Sequence, residues 1–138
     1  MFGSIEIPFE SVMLFNVITL KPGVSVEDAE LALGEMCNTV KGTYGNPEGG
    51  FIAGQVFKYA GFISTEGSVG PKGPEGEHLV IVTYWRSFGK HELSHADKLF
   101  KEKFSALAQL CSETKELGYE LLWQGAPESR SERLLKAL

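Results

Sequence analysis

Cysteine and histidine are scarce in this chain of 138 residues, which holds two of the first and three of the second. Cys37 and Cys111 have no CxxC spacing and fall in two different predicted helices. With no export signal, free thiols are the expectation rather than a disulfide. Basic clusters are lacking too. Thirteen Lys and Arg face eighteen Asp and Glu, for a net charge of -5, which argues against a general affinity for nucleic acid, since phosphate binding needs clustered cations. No apolar run approaches a membrane span. The opening "MFGSIEIPFE" lacks the basic start and apolar centre of a signal peptide. A cytoplasmic protein without membrane partners is therefore expected. At 43% hydrophobic and 22% charged, the composition suits one soluble globular domain over 1–138, with an N-terminal arm (1–10) and a C-terminal arm (126–138).

Periodicity then places the elements. "SVMLFNVITL" (Ser11 to Leu20) is apolar on both alternating faces and reads as a buried strand. Ser25 with Asp28 three residues on marks a helix start, and Val26, Ala29, Leu33, Met36 and Val40 recur at helical spacing until near Gly42. "GTYGNPEGG" reads as a loop. "FIAGQVFKYAGFI" reads as a second strand, with Gly54 marking a bulge. The Gly- and Pro-rich stretch from Ser64 to Glu77 reads as a long loop. "HLVIVTYW" (His78 to Trp85) is a third strand, and Ser87 caps a short helix. A longer helix follows with Phe100, Phe104, Leu107 and Cys111 on one face; Gly118 opens a fourth strand, "YELLWQG". The tail "ESRSERLLKAL" reads as a short amphipathic helix or a docking arm.

The order β-α-β-β-α-β is the α+β, ferredoxin-like plan. Two helices cover one face of a four-stranded sheet, yet three of the strands are apolar on both faces. The uncovered face would exceed the few hundred Å² of contiguous apolar surface that monomers tolerate. Packing two such sheets together answers this, giving a homodimer of the dimeric α/β barrel type.

The short helix carries His91-Glu92-Leu93-Ser94-His95. Residues i and i+4 share a helix face, with Cβ atoms about 5–6 Å apart, so both rings can meet one ion. A zinc peptidase is the familiar reading of H-E-x-x-H, but such enzymes need a third ligand from a following helix and a cleft between lobes. Third-ligand candidates here are Glu113, Glu116, Glu120 and His78. Glu120 stands out as a carboxylate inside an apolar predicted strand. Two His and one carboxylate on one side of an ion is the arrangement of non-haem Fe(II) oxygenases. The alternative is that these histidines are ordinary hydrogen-bonded residues. Asn16 is a second polar intrusion, set between Leu14 and Ile18, and its amide must be satisfied by backbone, water or ligand. Cys37 is either a small buried hydrophobe or a reactive thiolate.

"TYWRSFGKHELSH" (Thr83 to His95) resembles the iron-binding segment of the sulfur oxygenase reductases, a family within the dimeric α/β barrels. "NVITLKPG" (Asn16 to Gly23) and "GEMC" (Gly34 to Cys37) are similar to that family's first strand and helix. The resemblance implies a mononuclear iron held by His91, His95 and a glutamate, with Glu120 the nearest counterpart and Glu116 in reserve. It also implies that Cys37 carries sulfur covalently and that Asn16 orients substrate or ligands. The family's chains are about twice as long and hold two such units. The superfamily also contains haem-degrading enzymes, whose Trp and His correspond here to Ser94 and Phe104, so neither haem nor flavin is expected. Two rival readings stand beside iron. One is a cofactor-free monooxygenase of the antibiotic-biosynthesis type, holding a flat substrate among Phe15, Trp85 and Trp123. The other is a non-enzymatic small-ligand-binding dimer that uses the 64–77 loop or the C-terminal arm.

Overall fold

The computed structural model describes residues 3–61, 78–128 and 130–138, the last stretch without the side chains of 130–132. Four strands and four helices follow in the order β1 (Val12–Leu20), α1 (Val26–Tyr44), β2 (Phe51–Lys58), β3 (His78–Trp85), α2 (Phe88–His95), α3 (Lys98–Ala108), β4 (Cys111–Glu120) and α4 (Arg130–Ala137). The strands form one sheet in the order β2-β3-β1-β4, with antiparallel neighbours. Up to β4 this is the ferredoxin-like β-α-β-β-α-β plan; α4 is the C-terminal addition. No helix among the described residues is long and apolar enough to cross a membrane.

Local chemistry explains the boundaries. Ser25 and Asp28 form a reciprocal capping box, each side chain taking the other's backbone N–H. α1 passes Gly42 and ends only at Gly45, so the first three residues of the expected 42–50 loop are helical. The extra turn is held by Tyr44, which packs against Trp85 and donates to Asp97 Oδ2 at 2.8 Å. Ser87 and Asp97 cap α2 and α3 through their side chains. The irregularity in β2 lies between Phe51 and Ala53, not at Gly54, which pairs regularly with Thr83. The expected second strand ran on to Ile63, but β2 ends at Lys58 and residues 59–61 are not strand; residues 62 and 63 and the Ser64–Glu77 loop lie outside the described residues.

The fourth strand is the main correction. It spans Cys111–Glu120, not the apolar run 119–125, and Cys111 is its first residue rather than part of the preceding helix. β4 is an edge strand whose residues after Cys111 are exposed; an edge pairs through its backbone and needs no apolar run. Lys21 N–H donates to the Leu110 carbonyl as the chain enters it. The apolar residues that suggested a later strand lie beyond it, with Leu122 and Trp123 exposed.

The helices cover one face of the sheet. Alternation puts Leu14, Ile18, Ile81 and Trp85 beneath them, all buried. The core divides in two. Ile18, Leu20, Leu33, Leu79 and Leu107 form an aliphatic cluster, while Leu14, Val40 and Trp85 form a second with Tyr44, Phe51, Phe88 and Phe100 against it. Asn16 stands between them on β1. The other face carries Phe15 and Tyr119 in edge-to-face contact at 6.4 Å, with Phe57 and Leu117 exposed.

Candidate active site

His91 and His95 leave α2 on one side, and β4 brings Glu116 to meet them. His91 Nε2 and His95 Nε2 are 3.0 Å apart. Glu116 Oε2 is 3.5 Å from His91 Nε2, and its Oε1 is 3.8 Å from His95 Nε2. One ligand atom from each lies within 4.8 Å of the other two. His91 is buried, whereas His95 and Glu116 are partly open to solvent.

Three features of the chain create this convergence. The i, i+4 spacing aligns the rings. Strand pairing sets Glu116 opposite Asn16 on the helix-covered face. Gly118, two residues on and on the same face, leaves room for Phe88 at the start of α2; a Cβ there would stand 2.9 Å from Phe88 Cε1. The helix bearing both histidines can thus lie close over the strand bearing Glu116. The rings are held from outside as well. Trp85 meets His91 edge-on at 5.4 Å, and Phe100 lies 5.5 Å from His95. The Trp85 indole N–H donates to Thr83 Oγ1 at 3.0 Å. Ser94, fully buried, donates to the His91 carbonyl at 2.6 Å.

The electrostatics suit a ligand set. Burial pushes the Glu116 carboxyl up, but the His91 hydrogen bond and the nearby histidine charges outweigh it and leave the group below its ordinary value, hence anionic. Burial and the neighbouring His91 hold His95 below the usual imidazole value, so its ring is neutral near pH 7. Two ligand atoms about 2.1 Å from an ion and at right angles are about 3 Å apart. The histidine pair already has that separation, and the carboxylate oxygens stand 3.5 and 3.8 Å from the two ring nitrogens. The residues fit a mononuclear metal.

These groups open on a cavity of about 930 Å³ between sheet and helices. Asn16 and Cys37 line it with His91, His95 and Glu116. The structure therefore brings together four of the five residues singled out as site candidates. Glu120 is not among them: it is exposed opposite Val12, four residues beyond Glu116 and so about 13 Å further along the strand. The Asn16 amide donates to the Ile81 carbonyl at 3.3 Å, which meets part of its hydrogen-bonding need. Cys37 is half-buried, and burial pushes its thiol up, away from a standing thiolate. Of the aromatics expected around a flat substrate, Trp85 lines the cavity. Phe15 faces the other side of the sheet, and Trp123 lies exposed past β4. Phe51, Phe100 and Phe104 line it instead; Phe100 and Phe104 carried a signal as one helical stripe, whereas Phe51 carried none.

No protein-family model matches this chain, and no curated protein does. Solved structures do match its fold. SnoaB from Streptomyces nogalater, a cofactor-independent oxygenase, superposes with a TM-score of 0.58 at 13% identity, over 86% of this chain and 99% of its own. The hydroxynitrile lyase of Passiflora edulis gives 0.59 at 13% identity, over 87% and 100%. A dimeric protein of ferredoxin-like fold from Bacteroides fragilis gives 0.52 at 10%, over 80% and 95%. The chain has the ferredoxin-like fold that these structures share.

Proposed function

We propose that the protein is an oxygenase-type oxidoreductase that holds a small, largely apolar substrate in this cavity, with His91, His95 and Glu116 binding one mononuclear iron. The observation that carries the reading is the meeting of two imidazoles and one carboxylate at the cavity wall. When bound, iron would supply Lewis acidity and open positions for dioxygen and substrate. The chain's own groups do the rest. Glu116 supplies a negative charge, His95 offers a neutral ring nitrogen, and Trp85 fixes the plane of His91. Asn16, tied to Ile81 and paired with Glu116 across the strands, is a positioning residue for that carboxylate. A sulfur substrate is the finer form of the reading, supported by the Thr83–His95 resemblance and by Cys37 on the cavity wall. Cys37 would then give up its proton to solvent only as substrate arrives. Two copies pack by their open sheet faces, a reading supported by the exposed apolar residues there and by the dimeric neighbour.

A second reading is favoured by SnoaB, which works without a cofactor. Here Glu116 and His91 act as a base that removes a proton from an acidic substrate, and the resulting anion itself reduces dioxygen. Anaerobic titration of the metal-free protein with Fe(II) separates the two. We expect one iron per chain, with affinity falling at least about a hundredfold in His91→Ala and Glu116→Ala, since loss of a direct ligand exceeds the 10–100-fold typical of groups behind the ligands. Glu120→Gln should leave it unchanged. Absence of binding, or binding indifferent to both ligand variants, would reject the iron reading; oxygen uptake surviving in chelator but lost in Glu116→Ala would establish the metal-free one.

A further inference from the structure

Tyr44, Trp85 and His91 form an uninterrupted series of rings leading away from the cavity. His91 and Trp85 have centroids 5.4 Å apart, and Trp85 and Tyr44 6.0 Å apart. At such separations the ring edges are near contact, and electron transfer, which weakens steeply with distance, is fast. The groups around each ring suit a stepwise transfer of charge. The Trp85 N–H is hydrogen-bonded to the neutral hydroxyl of Thr83, a poor base, so an oxidised indole keeps its proton and remains a strong oxidant. The Tyr44 O–H points instead at a carboxylate oxygen, Asp97 Oδ2, at 2.8 Å. A phenol becomes easy to oxidise when its proton has such an acceptor. Tyr44 is half-buried and outside the residues that line the cavity.

The geometry points to a one-electron relay in which Trp85 and Tyr44 draw oxidising equivalents out of the cavity and hold them at Tyr44. In balanced form, an oxygen-derived one-electron oxidant in the cavity gains one electron from Trp85. Trp85 regains one from Tyr44. Tyr44 loses its phenolic proton along the hydrogen bond to Asp97, leaving a neutral tyrosyl radical and a protonated carboxyl. A thiol reductant from solution supplies the closing electron, becoming a thiyl radical and releasing its own proton to water, and Asp97 returns the phenolic proton to Tyr44. The relay would spare His91, Cys37 and the substrate when oxidant forms without productive turnover. Its use in the cell rests on the oxygenase reading, but the path can be tested without it.

The test needs neither iron nor dioxygen. A ruthenium photo-oxidant is tethered to Cys37, which lines the cavity while Cys111 is buried, in a Trp123→Phe background that leaves Trp85 as the one tryptophan. Near-ultraviolet circular dichroism checks that the labelled protein keeps its fold. After a flash with an electron-accepting quencher, transient absorption should show a tryptophanyl radical that converts to tyrosyl at a rate independent of protein concentration. Tyr44→Phe should abolish that conversion and lengthen the tryptophanyl lifetime. Asp97→Asn, which keeps a good helix cap, should slow it at least about tenfold, as expected from losing a charged hydrogen-bond acceptor. No conversion in the parent, or conversion undiminished in Tyr44→Phe, would overturn the relay whatever the iron titration shows. Undiminished conversion in Asp97→Asn would overturn the proton step.

Discussion

The two ends of the core differ in kind. At one, Ile18, Leu33, Leu79 and Leu107 meet as interchangeable aliphatic volume; at the other, Trp85 gathers Tyr44, Phe51, Phe88 and Phe100 around it. The first has Phe100 and Phe104 only at its margin, whereas the second is built around a buried ring, whose face and edges can orient a neighbour. That is where the histidines lie, each against a ring. Asn16 marks the seam on β1, and Glu116 faces it. The lesson is one of divided labour: aliphatic packing supplies stability, whereas aromatic packing supplies direction.

Leu107→Ala is the strongest way to break this contrast. The side chain is fully buried at the aliphatic end, and removing it should cost about 2–5 kcal/mol of unfolding free energy. Iron affinity should stay within about twofold of the parent, because Leu107 belongs to the other cluster and is linked to His95 at one remove, through Phe100, which packs against both. If affinity falls in step with stability, as followed by denaturant unfolding beside the titration, the ends are not separable. A second test leaves the core and addresses the open face. Leu117→Lys puts a charge where a second sheet would dock, and an unpaired charge buried in an interface costs about 3 kcal/mol or more, roughly a hundredfold in the dimer dissociation constant. Light scattering should report monomers that retain the fold; an unchanged dimer would move the interface elsewhere.

The smallest effect sharpens the aromatic end. Burial, with the hydrogen bond and charge of Asp97, pushes the Tyr44 phenol up to about 12. Its folded value lies above its ordinary one, so its contribution is complete below pH 10 or so and fades as pH rises through about 12. Asp97 shifts the other way, held down by the Phe100 backbone N–H and by Tyr44. Its contribution is present above the ordinary carboxylate value and is lost as pH falls through the lower folded one. Tyr44→Phe should therefore lower the Tm at neutral pH by less than Leu107→Ala does and flatten the alkaline limb of the stability profile. An alkaline limb identical to the parent's would remove Tyr44 from that titration.

Most of the fold was legible because its signals are local. The Ser25–Asp28 cap, the β-branched run of β3 and the Ser87 cap each announce an element within a few residues. β4 was not legible. An edge strand that pairs with one neighbour can be polar along its length, so the apolar stretch after it carried the stronger and misleading signal. The carboxylate that meets the histidines was lost with it: placing the strand late favoured Glu120, whereas the register against Asn16 puts Glu116 beside them. The meeting of the two imidazoles was legible because helical spacing alone aligns them. Trp85 was recognised as a strand residue, but its place against His91 depends on how α2 folds back, which no local pattern records.

A composite centre is only as well defined as the gap between the elements that carry it. Here a hydrogen atom, the side chain of Gly118, lies beneath the ring of Phe88. A related chain that gained a methyl group at this spot would have to move that ring, and with it the start of the helix that bears both imidazoles. The small residue two places downstream of the acid therefore belongs beside the two histidines and the acid in any pattern used to look for similar centres.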